Sequence, residues 1–143
     1  MRSEERFLRG FSWRVGLSRR KVYRLLCGVA ERDYADIVER AGFDDESARV
    51  YFKDGSFLEV WFHRNEDLMK RYAFHWERRH VDGSVHRHDS APHIKWSVAS
   101  FPKHFHSGTE DYVIESRIPD DPVSAFRYCL DYVRGFKNID GNV

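Results

Sequence analysis

Five of the eight histidines in this chain, His86, His88, His93, His104 and His106, fall within residues 84–108, "SVHRHDSAPHIKWSVASFPKHFHSG". Imidazole titrates near neutrality, so such a cluster suits proton transfer, metal ligation or phosphate binding. Two pairs are written H-x-H. Side chains alternate along a strand, so an extended "SVHRHD" puts His86 and His88 on one face and Arg87 and Asp89 on the other. An extended "KHFH" likewise places His104 and His106 together. Two such pairs, brought face to face, would make a four-imidazole site for zinc, copper or nickel. Alternatively, two histidines beside a scissile phosphodiester divide the labour. One takes a proton from the attacking hydroxyl and the other gives one to the leaving oxygen, each contributing about 10²–10⁴-fold in rate. Arg87 and Lys103 are nearby cations for a phosphate. Trp76, Trp96, Phe101 and Phe105 are interleaved as planes on which unstacked bases could lie. The bland alternative is that the aromatics are core and the cations and histidines are solvated.

The elements that must position these groups read as an α+β domain. A chain of 143 residues, 41% hydrophobic and 15% aromatic, supplies one domain with its own core over residues 1–143. The formal net charge of +1 provides no global field toward nucleic acid or membrane, so any basic surface is local. Cys27 and Cys129 have no paired spacing and read as free thiols of a reducing compartment. "MRSEERFLRG" lacks the apolar stretch of a signal peptide, and no run approaches a membrane span. The expectation is a soluble cytoplasmic protein with no membrane contact.

From Ser18, a good N-cap, "SRRKVYRLLCGVAER" has an apolar stripe at Val22, Leu25, Leu26 and Val29 and a basic opposite side. Residues 1–32 are thus a basic N-terminal helical extension. Its resemblance to a helix-turn-helix is weak, because no partner helix precedes it. "YADIVERAGF" is ambiguous between helix and strand. "ARVYF", "FLEVWFHR", "LMKRYAFHWERR" and "SVHRHD" follow as strands joined by "KDGS", "NED" and "HVDG", links too short for anything but antiparallel pairing. After an irregular segment with Pro92 and Pro102 comes a last strand in "DYVIES". A helix then starts with Asp121 as N-cap and Pro122 at its first position, with Phe126, Cys129, Leu130, Val133 and Phe136 on one face. The expected architecture is an antiparallel meander of about four to six strands, with the N-terminal and C-terminal helices packed on one face.

Two resemblances bear on function. "HFHSGTE", H-x-H-x3-E, is similar to part of the cupin metal motif, but the flanking glycines and the second half are missing, so it is set aside. The ordered series "RYAFHW", "HRHDSAPH" and "SFPKHFH" resembles the TumE family, toxin components of prokaryotic toxin–antitoxin pairs. The hairpin "ARVYFKDGSFLEVWF" matches as well, and the resemblance covers roughly residues 33–137. By it, His75 takes the histidine of the first motif. Arg87, Asp89, Pro92 and His93 belong to the second, and Phe101, Pro102, His104 and His106 to the third. His88 stands where the family has an aromatic, Ser90 for Asn, Ser100 for Thr, and Lys103 for the first histidine of the last run. His86 and His88 are therefore peculiar to this chain.

The resemblance implies a toxin with a cognate, DNA-binding antitoxin as partner. By analogy with small toxins that cleave RNA on sheets of this kind, the expected activity is that of a metal-independent ribonuclease with RNA as substrate. His104 or His106 would be the base, His93 the acid and Asp89 the orienter of an imidazole. Arg87 and Lys103 would clamp phosphate, with His75 and Trp76 toward the substrate. No cofactor is expected on this reading. One alternative is a transition metal such as zinc held by His93, His104 and His106, and another is a non-enzymatic interaction module.

Overall fold

The computed structural model describes residues 18–64, 67–92 and 98–139. Helix α1 spans Arg19–Asp33, and Ser18 caps it as expected, its Oγ accepting from the Lys21 N–H at 3.2 Å. Val22, Tyr23, Leu26, Val29 and Ala30 on its inner stripe are inaccessible to solvent. The basic side is tied down locally. Arg19 donates to the Phe62 carbonyl at 3.0 Å, and Arg20 meets Asp45 at 2.7 Å.

Among the described residues seven strands follow: β1 Val38–Phe43, β2 Ser47–Phe52, β3 Phe57–Phe62, β4 Tyr72–Arg78, β5 Ser84–Asp89, β6 His104–Gly108 and β7 Val113–Glu115; helix α2 covers Pro122–Ile139. They lie in sequence order in one antiparallel sheet. The architecture is the expected α+β meander, slightly larger than anticipated. The extra strand comes from the ambiguous "VERAGF", where a register shift between Val38 and Arg40 breaks the alternation by which a strand is recognised.

Both Asp-Gly hairpins form. Gly55 and Gly83 adopt φ of 92° and 83°, which a side chain would resist. In each turn the aspartate accepts from the N–H two residues on, Asp54 from Ser56 at 2.9 Å and Asp82 from Ser84 at 3.0 Å. Buried Arg78 joins the two turns, reaching Asp54 at 2.6 Å and Asp82 at 2.9 Å.

Register assigns every strand residue to a face. One face carries Ala48, Val60, Phe74, His88, Phe105 and Ile114 as a continuous row, with Val50, Leu58, Trp76 and His86 beside it. The helices cover this face. In α2, Asp121 accepts from the Ser124 N–H at 2.9 Å, and Phe126 and Leu130 are fully buried. Burial of each such side chain is worth about 1.5–3 kcal/mol. The helices are also linked to each other. Arg127 reaches Asp33 at 2.7 Å, and the Tyr34 hydroxyl donates to Asp131 at 2.8 Å. Cys27 and Cys129 are buried free thiols. No helix among the described residues is long and apolar enough to cross a membrane.

Candidate functional site

The outer face, away from the helices, carries the residues singled out for chemistry. One row across it runs Arg49, Glu59, His75, Arg87, His106 and Val113; the next runs Trp61, Ala73, Asp89, His104 and Glu115. Exposure falls along the first row, from 44% at the Arg49 side chain to 18% at His75 and zero at His106. The row is open toward β2 and closed at β6.

At the closed end, Asp89 of β5 lies directly opposite His104 of β6, and Arg87 opposite His106. All three of Asp89, His104 and His106 are buried. His104 Nε2 stands 3.0 Å from Asp89 Oδ1, and His106 Nε2 stands 3.6 Å from Oδ2. The rings are 4.9 Å apart, nearly perpendicular. One donor atom from each residue lies within 4.8 Å of the other two.

The surroundings fix how these groups face each other. His104 Nδ1 is 3.0 Å from the Pro102 carbonyl and His106 Nδ1 is 2.8 Å from the Glu110 carbonyl. A carbonyl only accepts, so each Nδ1 carries a proton and donates it. Both imidazoles therefore turn the same nitrogen, Nε2, to one carboxylate. Each oxygen of Asp89 also accepts a hydrogen bond, Oδ1 from the Ala91 N–H at 3.0 Å and Oδ2 from Arg87 Nε at 2.9 Å. Burial works against charge on Asp89, yet the adjoining His106 imidazole and Arg87 guanidinium outweigh it and hold the carboxyl down at about 2. Arg87 is in turn gripped by both oxygens of Glu110, at 2.6 and 2.8 Å. The Arg87 guanidinium chiefly, against some burial, lowers the Glu110 carboxyl below the usual range.

The other expected site residues fall in different places. Arg87 is at the cluster, but its guanidinium is engaged by Asp89 and Glu110. Lys103 turns away, its ammonium donating to the Ile118 carbonyl at 2.8 Å and lying 3.5 Å from Asp120. His75 shares the outer-face row with Arg87 and His106, and its Nε2–H donates to Glu77 at 3.1 Å. Trp76 is on the helix face, 2% exposed, donating its indole N–H to Ser56 Oγ at 3.0 Å and packed against Phe52, Tyr132 and Phe136. Its surroundings are those of a core residue, since no ring face is left for a base. Phe105 packs there too, 4.1 Å from His88 in a stacked pair. His93 and Trp96 lie outside the described residues.

The two H-x-H pairs do not meet. Odd-numbered Asp89 and Arg87 pair with even-numbered His104 and His106, so His86 and His88 project through the opposite face into the core. Burial pushes them down to about 4 and about 3, keeping them neutral. His88 Nδ1 bonds Ser116 Oγ at 2.7 Å, and His86 Nδ1 lies 3.1 Å from the Tyr132 hydroxyl. The residue missed by sequence reasoning is Glu110. The H-x-H-x3-E spacing that was set aside contains it, and it both clamps Arg87 and orients His106.

The family model for Toxin TumE matches residues 29–137. No curated protein and no solved structure matches the chain. The match takes in β1 to β7, α2 as far as residue 137 and the last turn of α1, including every residue of the cluster. With most of its length accounted for in this way, the chain belongs to the TumE toxin family.

Proposed function

We propose that this protein is the toxin of a toxin–antitoxin pair and that it cleaves RNA, with Asp89, His104 and His106 as its reactive centre. Family membership supports the toxin role and, with it, a cognate antitoxin as partner. The observation that carries the choice of centre is convergence. The second and third motifs deliver a carboxylate and two imidazoles to one point on the face that the core does not use. Desolvating such groups costs stability that apolar residues would not, so their presence outside the core favours a use other than packing. The row of outer-face residues, open at Arg49 and closed at His106, supports approach of a strand across the sheet from the β2 side.

In the cleavage, an oxygen nucleophile gives up its proton and bonds to phosphorus. The bond from phosphorus to the leaving oxygen breaks, and that oxygen takes up a proton. Asp89 and the imidazoles are the groups on this face suited to handle those protons or the charge that develops. Arg87 acts here as a positioning residue for Asp89.

The test is incubation of purified toxin with cellular RNA, read as fragment ends. Wild type should cut, and Asp89→Asn should leave the RNA whole while keeping the same circular dichroism spectrum. RNA left intact by wild type at concentrations that arrest growth overturns the proposal.

A further inference from the structure

We infer that Asp89, His104 and His106 bind one divalent transition-metal ion, zinc foremost, through Asp89 and the two Nε2 atoms. The inference rests on the cluster named in the proposed function and deepens it by assigning a cofactor. Each Nδ1–H is spent on a backbone carbonyl, so the Nε2 that faces the carboxylate either carries the second proton of an imidazolium or offers a lone pair. Three lone-pair donors aimed at one another repel unless a cation lies among them. Metal-ligating histidines are held in just this tautomer, by an acceptor on the far nitrogen. Pro102 and Glu110 supply those acceptors.

The spacing agrees. Zinc bonds of 2.0–2.2 Å in a tetrahedron set neighbouring ligand atoms about 3.3–3.6 Å apart. The His104 nitrogen stands 3.0 Å from Asp89 Oδ1 and the His106 nitrogen 3.6 Å from Oδ2, and one donor atom from each residue lies within 4.8 Å of the other two, so the first distance has to widen slightly and any wider separation to close by roughly an ångström. Asp89 is built like a ligand as well. The Ala91 N–H takes one lone pair of Oδ1 and Arg87 one of Oδ2, leaving each oxygen a second lone pair for a cation. Among the described residues the charge balance favours a cation, because the single Arg87 guanidinium is shared between two carboxylates, Glu110 and Asp89. Two imidazoles and one carboxylate are a donor set for zinc or iron(II), whereas calcium and magnesium prefer oxygen alone. Three protein ligands leave a position for water, and a bound zinc ion would lower the pKa of that water toward neutrality. The rival cation is a proton on one Nε2, and the experiment separates the two.

Untagged, chelator-stripped protein is titrated with Zn²⁺ against a chromogenic competitor, and separately with Co²⁺ followed by visible absorption. One ion should bind per chain with Kd of about 1 μM or tighter. Affinity should fall roughly 100-fold in His104→Asn and His106→Asn, which keep a donor near the Nδ1 position, and at least about tenfold in Asp89→Asn and Glu110→Gln. His80→Ala, an exposed histidine on the β4–β5 turn, should match wild type. Cobalt should give the intense visible bands of a four- or five-coordinate ion. Binding that is substoichiometric in wild type, or equal in wild type and the His104 and His106 variants, overturns the inference and leaves the proton as the cation. The wild-type titration stands even where a variant fails to fold. The two readings fail separately: a tight zinc site in a protein that leaves RNA whole supports the metal site and sinks the RNA proposal. RNA cleavage undiminished by chelator, with no zinc bound, does the reverse.

Discussion

The two H-x-H pairs of this molecule sit on adjacent strands and meet opposite fates. His86 and His88 point into the core, packed among Trp76, Phe105, Tyr132 and Phe136. His104 and His106 point the other way and close on Asp89. The difference is one of parity in the register between β5 and β6, and it decides which chemistry each pair can have. Imidazoles desolvated by hydrocarbon stay neutral and behave as polar packing groups. Imidazoles desolvated beside a carboxylate, with their far nitrogens fixed by carbonyls, are arranged to hold a cation.

The largest effects should come from breaking the outer pair. Asp89→Asn, His104→Asn and His106→Asn are each expected to abolish growth arrest on induced expression, a loss of at least about 100-fold in activity per folded molecule. Retained arrest in any of the three would remove that residue from the centre. Breaking the inner face should instead cost stability. Phe126→Ala should destabilise by about 3–5 kcal/mol and Leu130→Ala by about 2–5 kcal/mol, measured by urea unfolding. Activity per folded molecule should be unchanged. Near-neutral values would mean that α2 does not close the core.

Next is pH. His86 and His88 are neutral in the folded protein, with values depressed to about 4 and about 3, whereas the unfolded chain takes up protons near 6.5. The unfolded state therefore binds more protons below that point. Stability should fall as pH drops from 6.5 toward 4, by roughly 2–3 kcal/mol for His86 alone. His88→Gln should flatten the slope. An unchanged slope would show that the inner histidines are hydrated. Smallest is Ser56→Ala, which removes the acceptor for the Trp76 indole and should cost about 1–2 kcal/mol in stability without altering RNA affinity. A change in affinity would return Trp76 to the substrate.

Much of this was legible in the sequence where the signal was local. The Asp-Gly turns at 54–55 and 82–83, the Ser18 cap and the Asp121–Pro122 helix start each depend on a few neighbouring residues, and each forms as read. The grouping of Asp89 with His104 and His106 came from the family motifs. What could not be read was the register across the irregular segment after Asp89. No short turn fixes it, so whether the H-x-H pairs would face each other was undetermined. β1 hid behind its irregular pairing. Trp76 and Arg87 look like substrate groups from their neighbours. Only the fold shows Ser56 accepting from one and Glu110 gripping the other, since these partners lie 20 and 23 residues away.

The most direct test of the division between the faces is to induce His106→Asn and His88→Gln side by side, scoring growth arrest against the melting temperature of each purified protein. His106→Asn is expected to fold but no longer arrest growth. His88→Gln should melt lower yet still arrest growth in proportion to its folded fraction. Full growth arrest by a folded His106→Asn protein would mean that the outer face does not hold the reactive centre.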